Sequence, residues 1–226
     1  MSSTKPPEHF ALLRHVPLFS MLSEEDLVGL GPLVRRHSLP KNRAAVREGE
    51  LTDALYIILS GRAKVQRSDS EGKEVILAVL GSGEYFGEMS LIDDMPHSAS
   101  VITLEACEIL TLAKDDFRAC LARNANLAMA IMVGLVQRLR KADGKIESLA
   151  LLDDYGRVAR LLVEFSTEED GVRVVRGKLP RQEVGKMVGA SREMVSRVMR
   201  DLEIDGFVVP REDGSFQLNE NRGPRL

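Results

Sequence analysis

From residue 38 to residue 114 the apolar residues come in short runs, at 54–59, 64–66, 75–80, 98–102 and 107–112, and among them fall Gly49, Gly61, Gly72, Gly81, Gly83 and Gly87. Short runs punctuated by residues that accept a tight turn read as strands. Many such strands in succession imply a β-barrel or jelly roll. After Lys114 the texture changes: the turn signals thin out, and 115–152 reads as a helix pair whose second member is long.

On that long helix Ala128, Met132, Leu135, Leu139, Ala142, Ile146 and Leu149 recur at alternating spacings of four and three. This is an a/d seam, which calls for a partner helix, so a homodimer is expected; the alternative is that the stripe packs on the chain's own barrel. Arg138, Arg140, Lys141, Asp143 and Lys145 flank the seam as a solvated collar. Gly134 and Gly144 each cost about 1 kcal/mol of helix propensity, so packing has to hold the helix straight. Ahead of the barrel, 16–34 reads as short amphipathic helix, with Ser23 and Asp26 as a capping-box-like start and Leu27, Leu30 and Val34 at helical spacing. Beyond the seam, Asp153 or Asp154 can cap a new helix over 157–165. The expected division is therefore a β-roll over 15–114, a helix pair over 115–152 and a C-terminal domain over 153–226. Within the last, 166–171 reads as a loop and 172–178 as a short strand. Helices at 181–188 and 191–203 follow, then a hairpin over 207–209 and 216–218 that turns at Asp213-Gly214, and a frayed end.

The 226 residues carry 31 Lys or Arg against 34 Asp or Glu, a net charge of −3 that by itself does not announce a nucleic-acid partner. Two cysteines, Cys107 and Cys120, exclude a disulfide scaffold, a zinc ribbon and a four-thiolate iron–sulfur site supplied by one chain. Both read as packed core. The longest apolar stretch, 127–136, is far short of the roughly 20 residues that span a bilayer. The first residues show no basic-then-apolar export pattern, so a cytoplasmic protein without a membrane partner is expected.

The charge is unevenly spread. Residues 181–200 hold five Lys or Arg and two Glu, a local balance of +3. In the same segment a helix ending near Gly189, a tight turn, and Ser191 capping a second helix make a helix-turn-helix. Val184, Met187, Val188, Val195, Val198, Met199 and Leu202 supply its inner face and leave Arg192, Glu193, Ser196, Arg197 and Arg200 outward.

Residues 181–197 match R-Q-E-[IV]-G-x-x-V-G-x-S-R-E-x-V-x-R throughout, and so the chain resembles the CRP/FNR family of bacterial transcription regulators. The resemblance covers about residues 15–220. It implies an α+β protein: an N-terminal β jelly-roll cyclic-nucleotide-binding domain, a long dimerisation helix and a C-terminal winged helix-turn-helix. It further implies double-stranded DNA as partner, with RNA polymerase as a second one. Arg192 and Arg197 would present guanidinium forks to guanine O6 and N7, and Glu193 would accept from cytosine. The implied half-site is of the TGTGA type. Gln182, Ser191 and Arg200 would fix register on phosphates.

The segment 81–101 resembles the family's phosphate-binding cassette: Gly87, Glu88 and Met89 open a short helical turn, His97 and Ser98 follow, and Glu88 would accept a ribose 2′-OH. Two positions depart from the cyclic-AMP binders. His97 stands where they carry the Arg that pairs with the cyclic phosphate, and Ala142-Asp143 replaces the Thr-Ser pair that reads adenine. Arg140 and Asp143 form an R-x-x-D pair suited to guanine, with Arg138 nearby to neutralise charge; an ordinary i,i+3 ion pair is the alternative. The expected effector is cyclic di-GMP, with cyclic AMP, another ligand or no ligand at all as the alternatives. No metal is expected, because the four histidines, His9, His15, His37 and His97, are scattered without an H-x-H pair. For the same reason neither a cupin-like metalloenzyme nor any other catalytic activity is expected, and a haem sensor has little to rest on.

Overall fold

The computed structural model describes residues 10–14, 16–177 and 179–223; His9, His15, Lys178 and residues 224–226 of the expected frayed end lie outside the described residues. The chain divides into two compact units, Met1–Arg138 and Leu139–Leu226.

In the first unit α1 (Phe10–Leu13) and α2 (Glu24–Leu30) precede the barrel. The capping box forms: Ser23 Oγ accepts from the Asp26 N–H, and Ser23 N–H donates to the Asp26 carboxylate, both at 3.2 Å. The helix does not reach Val34. It gives way to a 3-10 turn at Gly31–Leu33, where the proline at 32 has no N–H to continue the α-helical hydrogen-bond ladder. Val34 is buried instead as the first residue of β1 (Val34–Leu39), opposite Leu112.

The β-roll continues with β2 (Ala44–Val46), β3 (Ala54–Ser60), β4 (Ala63–Ser68), β5 (Glu74–Leu80) and β6 (Tyr85–Phe86). After α3 (Glu88–Asp93) come β7 (Ser100–Thr103) and β8 (Cys107–Ala113). Two four-stranded sheets, ordered β1-β8-β3-β6 and β2-β7-β4-β5, make the jelly roll. β1 and β2 lie at sheet edges, and β1 buries only Val34, so no apolar alternation announces it. Leu55, Ile57, Leu110 and Leu112 of the first sheet join one core with Phe19, Leu27 and Phe117 of the helical segments, and Ile58, Phe86, Val101 and Ile109 form another between the sheets. Cys107 belongs to the second and Cys120 packs against the first.

The helix pair is α4 (Lys114–Arg123) and α5 (Ala125–Leu151). Asn124 separates them and starts α5, its side-chain oxygen accepting from the Leu127 N–H at 3.1 Å. Of the expected seam of α5, Met132, Leu139, Ala142, Ile146 and Leu149 are exposed, and Leu135 is drawn to the barrel. Leu127 and Ile131 turn onto the barrel core with it, Ala128 is half-buried, and Met129, Val133 and Val136 are exposed. The first half of α5 carries two apolar stripes, and the barrel takes one of them.

In the second unit Asp153, rather than Asp154, caps α6 (Asp154–Glu164), accepting from the Gly156 N–H at 2.8 Å. The segment read as a loop, 166–171, is instead β9 (Ser166–Glu169) and a tight turn into β10 (Val172–Val175). Asp170 and Gly171 both have positive φ, 51° and 77°, as a two-residue hairpin turn with the twist of its strands requires. Its polar composition reflects an outward face, not the absence of a strand. Next come α7 (Arg181–Val188), α8 (Arg192–Ile204), β11 (Val208–Pro210) and β12 (Phe216–Leu218), and the sheet is ordered β11-β12-β10-β9. A 3-10 turn at Glu220–Arg222 occupies part of the expected frayed end. The architecture is α+β: a β-roll, a long helix and a winged helix-turn-helix. Among the described residues no single helix is long and apolar enough to cross a membrane.

Candidate nucleic-acid interface and effector site

α7 and α8 are held together by local chemistry. Gly189 ends α7 in the left-handed region, φ 74°, where a side chain is costly, and the N–H groups of Gly189 and Ala190 both donate to the Gly185 carbonyl, at 2.8 and 3.0 Å. Ser191 then caps α8 by accepting from the Met194 N–H at 3.1 Å. Val184, Val188, Val195, Val198, Met199 and Leu202 bury against α6 and the sheet, with Met187 partly buried beside them. This burial leaves Arg192, Glu193, Ser196, Arg197 and Arg200 exposed on one side of α8, and Gln182 and Ser191 exposed at the starts of the two helices. Ser196 Oγ donates back to the Arg192 carbonyl at 2.9 Å.

Gly185 is a point of close backbone approach, since a Cβ there would lie 2.5 Å from the Ala190 carbonyl oxygen. Backbone on both sides cannot yield cheaply. Gly185→Ala is therefore expected to destabilise the C-terminal domain by about 3 kcal/mol, the upper end of ordinary overpacking. Thermal melting checks this; an unchanged midpoint would contradict the packing.

The start of α6 is fastened to the end of α8. Tyr155 Oη donates to the Asp205 carboxylate at 2.6 Å, and its pKa is pushed up to about 12 by burial and by that carboxylate. Arg157 donates to the Leu152 carbonyl at 2.9 Å and pairs with Asp154.

In the first unit the expected cassette residues surround the short helix α3. Gly87 precedes it at φ 91°, where a Cβ would come within 3.0 Å of the Ala54 carbonyl oxygen. Glu88 is almost fully buried and Met89 is half-exposed. Arg138, from α5, donates to Glu88 Oε1 at 2.5 Å and to the Tyr85 carbonyl, and its guanidinium carbon sits 4.8 Å from the centre of the Tyr85 ring. Burial pushes the Glu88 carboxyl above the usual carboxylate range, against the pull of Arg138. Glu88 Oε2 is buried and makes no hydrogen bond, an acceptor suited to a ligand hydroxyl.

Other expected ligand residues are placed differently. Ser98 is exposed, but His97 is buried, its ring nitrogen 2.6 Å from Thr52 Oγ1, with its N–H and carbonyl bonded to Glu50 and Gly49. Burial lowers its pKa, so near neutral pH the ring is uncharged and offers no cation to a phosphate. Arg140 and Asp143 are exposed on α5. Thr52 lies in no motif, and Tyr85, though within the segment 81–101, is given no role by the cassette resemblance. His37, on the outer face of β1, lies 3.0 Å from Thr111 Oγ1. Asp94, at the end of α3, is clamped by Lys114 at 2.6 Å and Arg118 at 2.8 Å, and these hydrogen bonds hold its carboxyl at about 2.

The cyclic nucleotide-binding domain family matches residues 36–124, and the Crp-like helix-turn-helix domain family matches residues 156–219. The chain is 36% identical over 179 residues to the cAMP-activated global transcriptional regulator CRP of Haemophilus influenzae, covering 76% of this chain and 79% of that protein. Among solved structures it is similar to the c-di-GMP responsive global regulator CLP of Xanthomonas campestris, with 28% identity and a TM-score of 0.71 over 87% of this chain and 99% of that one. It is also similar to the catabolite activator protein of Thermus thermophilus, with 32% identity and a TM-score of 0.54 over 90% and 94%.

Proposed function

The chain belongs to the CRP/FNR family of transcription regulators, and from that membership we propose that it works as a homodimer binding palindromic DNA with TGTGA-type half-sites, under the control of cyclic di-GMP. The family binds DNA and responds to cyclic nucleotides; it is a family of regulators rather than enzymes. What carries the DNA reading is the face of α8, where Arg192, Glu193 and Arg197 are exposed together just beyond the Ser191 cap. In that reading the two arginines meet guanines, Glu193 meets a cytosine amino group, and Gln182, Ser191, Ser196 and Arg200 set register on the backbone. Two copies joined along α5 would present their α8 helices about 34 Å apart, one turn of DNA. The exposed apolar stripe of α5 supports the dimer. RNA polymerase is the protein partner proposed for such a regulator, and the cytoplasm its site of action.

The effector reading follows from the charges on the page. His97 is buried and neutral, so a single cyclic phosphate finds no cation at that position. Arg140 and Asp143 are free to meet guanine edges, and the similarity to a regulator named as c-di-GMP responsive points the same way. Gly87, Glu88, Met89, Ser98 and Arg138 would complete the site, Glu88 taking a ribose hydroxyl. One similarity favours cyclic AMP instead: the Haemophilus relative is named as cAMP-activated, while the unpaired Glu88 Oε2 suits the hydroxyl of either nucleotide. Ligand binding would shift an existing equilibrium between arrangements of α5 and the DNA-binding domain. Calorimetry with each nucleotide, paired with anisotropy on a labelled TGTGA palindrome, tests the proposal. Cyclic di-GMP is expected to bind and to change DNA affinity. Heat from cyclic AMP alone would replace it as effector.

A further inference from the structure

Tyr85 lies within the segment 81–101 but is given no role by the cassette resemblance, yet three of its groups engage the effector site and α5. Its ring lies under the Arg138 guanidinium at 4.8 Å. Its carbonyl accepts from Arg138, the residue that also donates to Glu88 at 2.5 Å. Its hydroxyl is buried and makes no hydrogen bond. That hydroxyl occupies the space that a side chain at position 134 of α5 would fill: a Cβ on Gly134 would lie 2.0 Å from Tyr85 Oη and 3.2 Å from Cζ. A glycine in mid-helix is costly, and a buried phenol without a partner is costly too. Here each has its reason in the other.

We propose that Tyr85 is a positioning residue of the effector site: its ring and carbonyl hold Arg138 on Glu88, and its hydroxyl, seated in the notch at Gly134, sets the height of α5 at which Arg138 reaches that carboxylate. The role of Arg138 and Glu88 as ligand residues rests on the effector reading above; the notch does not. A cation over a desolvated aromatic face is held by the ring's quadrupole, so losing the ring frees the guanidinium. An effector that bonds Glu88 Oε2 then meets a carboxylate whose counter-ion has moved.

The test uses the full chain and five variants of it: Tyr85→Phe, Tyr85→Leu, Gly134→Ala, and Gly134→Ala combined with each Tyr85 change. Thermal midpoints read the notch. Gly134→Ala lowers the midpoint, and adding Tyr85→Phe restores most of the loss, because the nearest atom recedes from 2.0 to 3.2 Å. A double variant no more stable than Gly134→Ala alone overturns the notch. Calorimetry with cyclic di-GMP and with cyclic AMP reads the positioning. Tyr85→Leu is expected to bind the effector about tenfold more weakly than Tyr85→Phe, which keeps the π face. Equal affinities of these two variants overturn the positioning role. An unmodified chain that binds neither nucleotide overturns the effector reading and the positioning role together, while the thermal cycle still decides the notch.

Discussion

Arg192→Ala and Arg197→Ala are each expected to flatten the preference for one guanine of the half-site, by about 1–3 kcal/mol or roughly ten- to a hundredfold. Both side chains are exposed on α8, one turn and a little apart, while the neighbours that carry the fold, Val195, Val198 and Met199, are buried. Truncation therefore removes a reader without touching the core, and thermal midpoints are expected to stay put. Arg200→Ala serves as the contrast. Placed on phosphate, it weakens binding to all sequences alike and reduces the slope of log K against log salt by about one. Anisotropy on palindromes in which each guanine is exchanged in turn makes the measurement. Unchanged base preference in both Arg192→Ala and Arg197→Ala would remove them from base reading and leave only charge.

A carboxylate placed in the α5 stripe is expected to separate the dimer. Val136 is half-exposed and Leu139 is 62% exposed, so neither holds the chain's own core together. In a helix pair the same positions would be covered, and an unpaired buried charge costs about 3–5 kcal/mol, enough to raise a dimer dissociation constant about a thousandfold. Val136→Asp or Leu139→Asp is thus expected to sediment as a folded monomer of 25.0 kDa. Binding to a palindrome falls with it, because two half-sites are no longer held by one rigid body. A monomeric unmodified chain would overturn the dimer, and variants that still sediment as dimers would move its interface elsewhere.

How much of this was legible beforehand depends on the range of the interactions involved. The helix-turn-helix is local chemistry: the Gly189 turn, the Ser191 cap and the apolar spacing of α8 all act within a few residues, so its ends and its outward face follow from the string of letters. The capping box at Ser23 was readable for the same reason. The hairpin of β9 and β10 was equally local, but the polar run Ser166–Glu169 hid it, although Asp170-Gly171 is a strong turn signal. β1 was hidden differently, since an edge strand that buries only its first residue has no alternation to detect. On α5 the expected seam at Met132, Leu139, Ile146 and Leu149 stays exposed, whereas the second stripe, Leu127 and Ile131, which meets the barrel, carried no signal of its own, because nothing in the helix says which stripe the barrel takes.

The amino-acid sequence by itself determined the helix-turn-helix and the outward face of α8, because periodicity, caps and turns act over one or two helical turns, and the motif at 181–197 carried the resemblance to the family. It also placed the positive charge at 181–200 inside a chain of net charge −3. Only the tertiary structure decided that His97 turns inward to Thr52, that Arg138 closes on Glu88, and that Tyr85 fills the notch at Gly134. Those contacts join residues about 45 to 53 positions apart in the chain. Their partners are chosen by how the barrel closes and where α5 lies on it, and separations of that length leave no local signature to read.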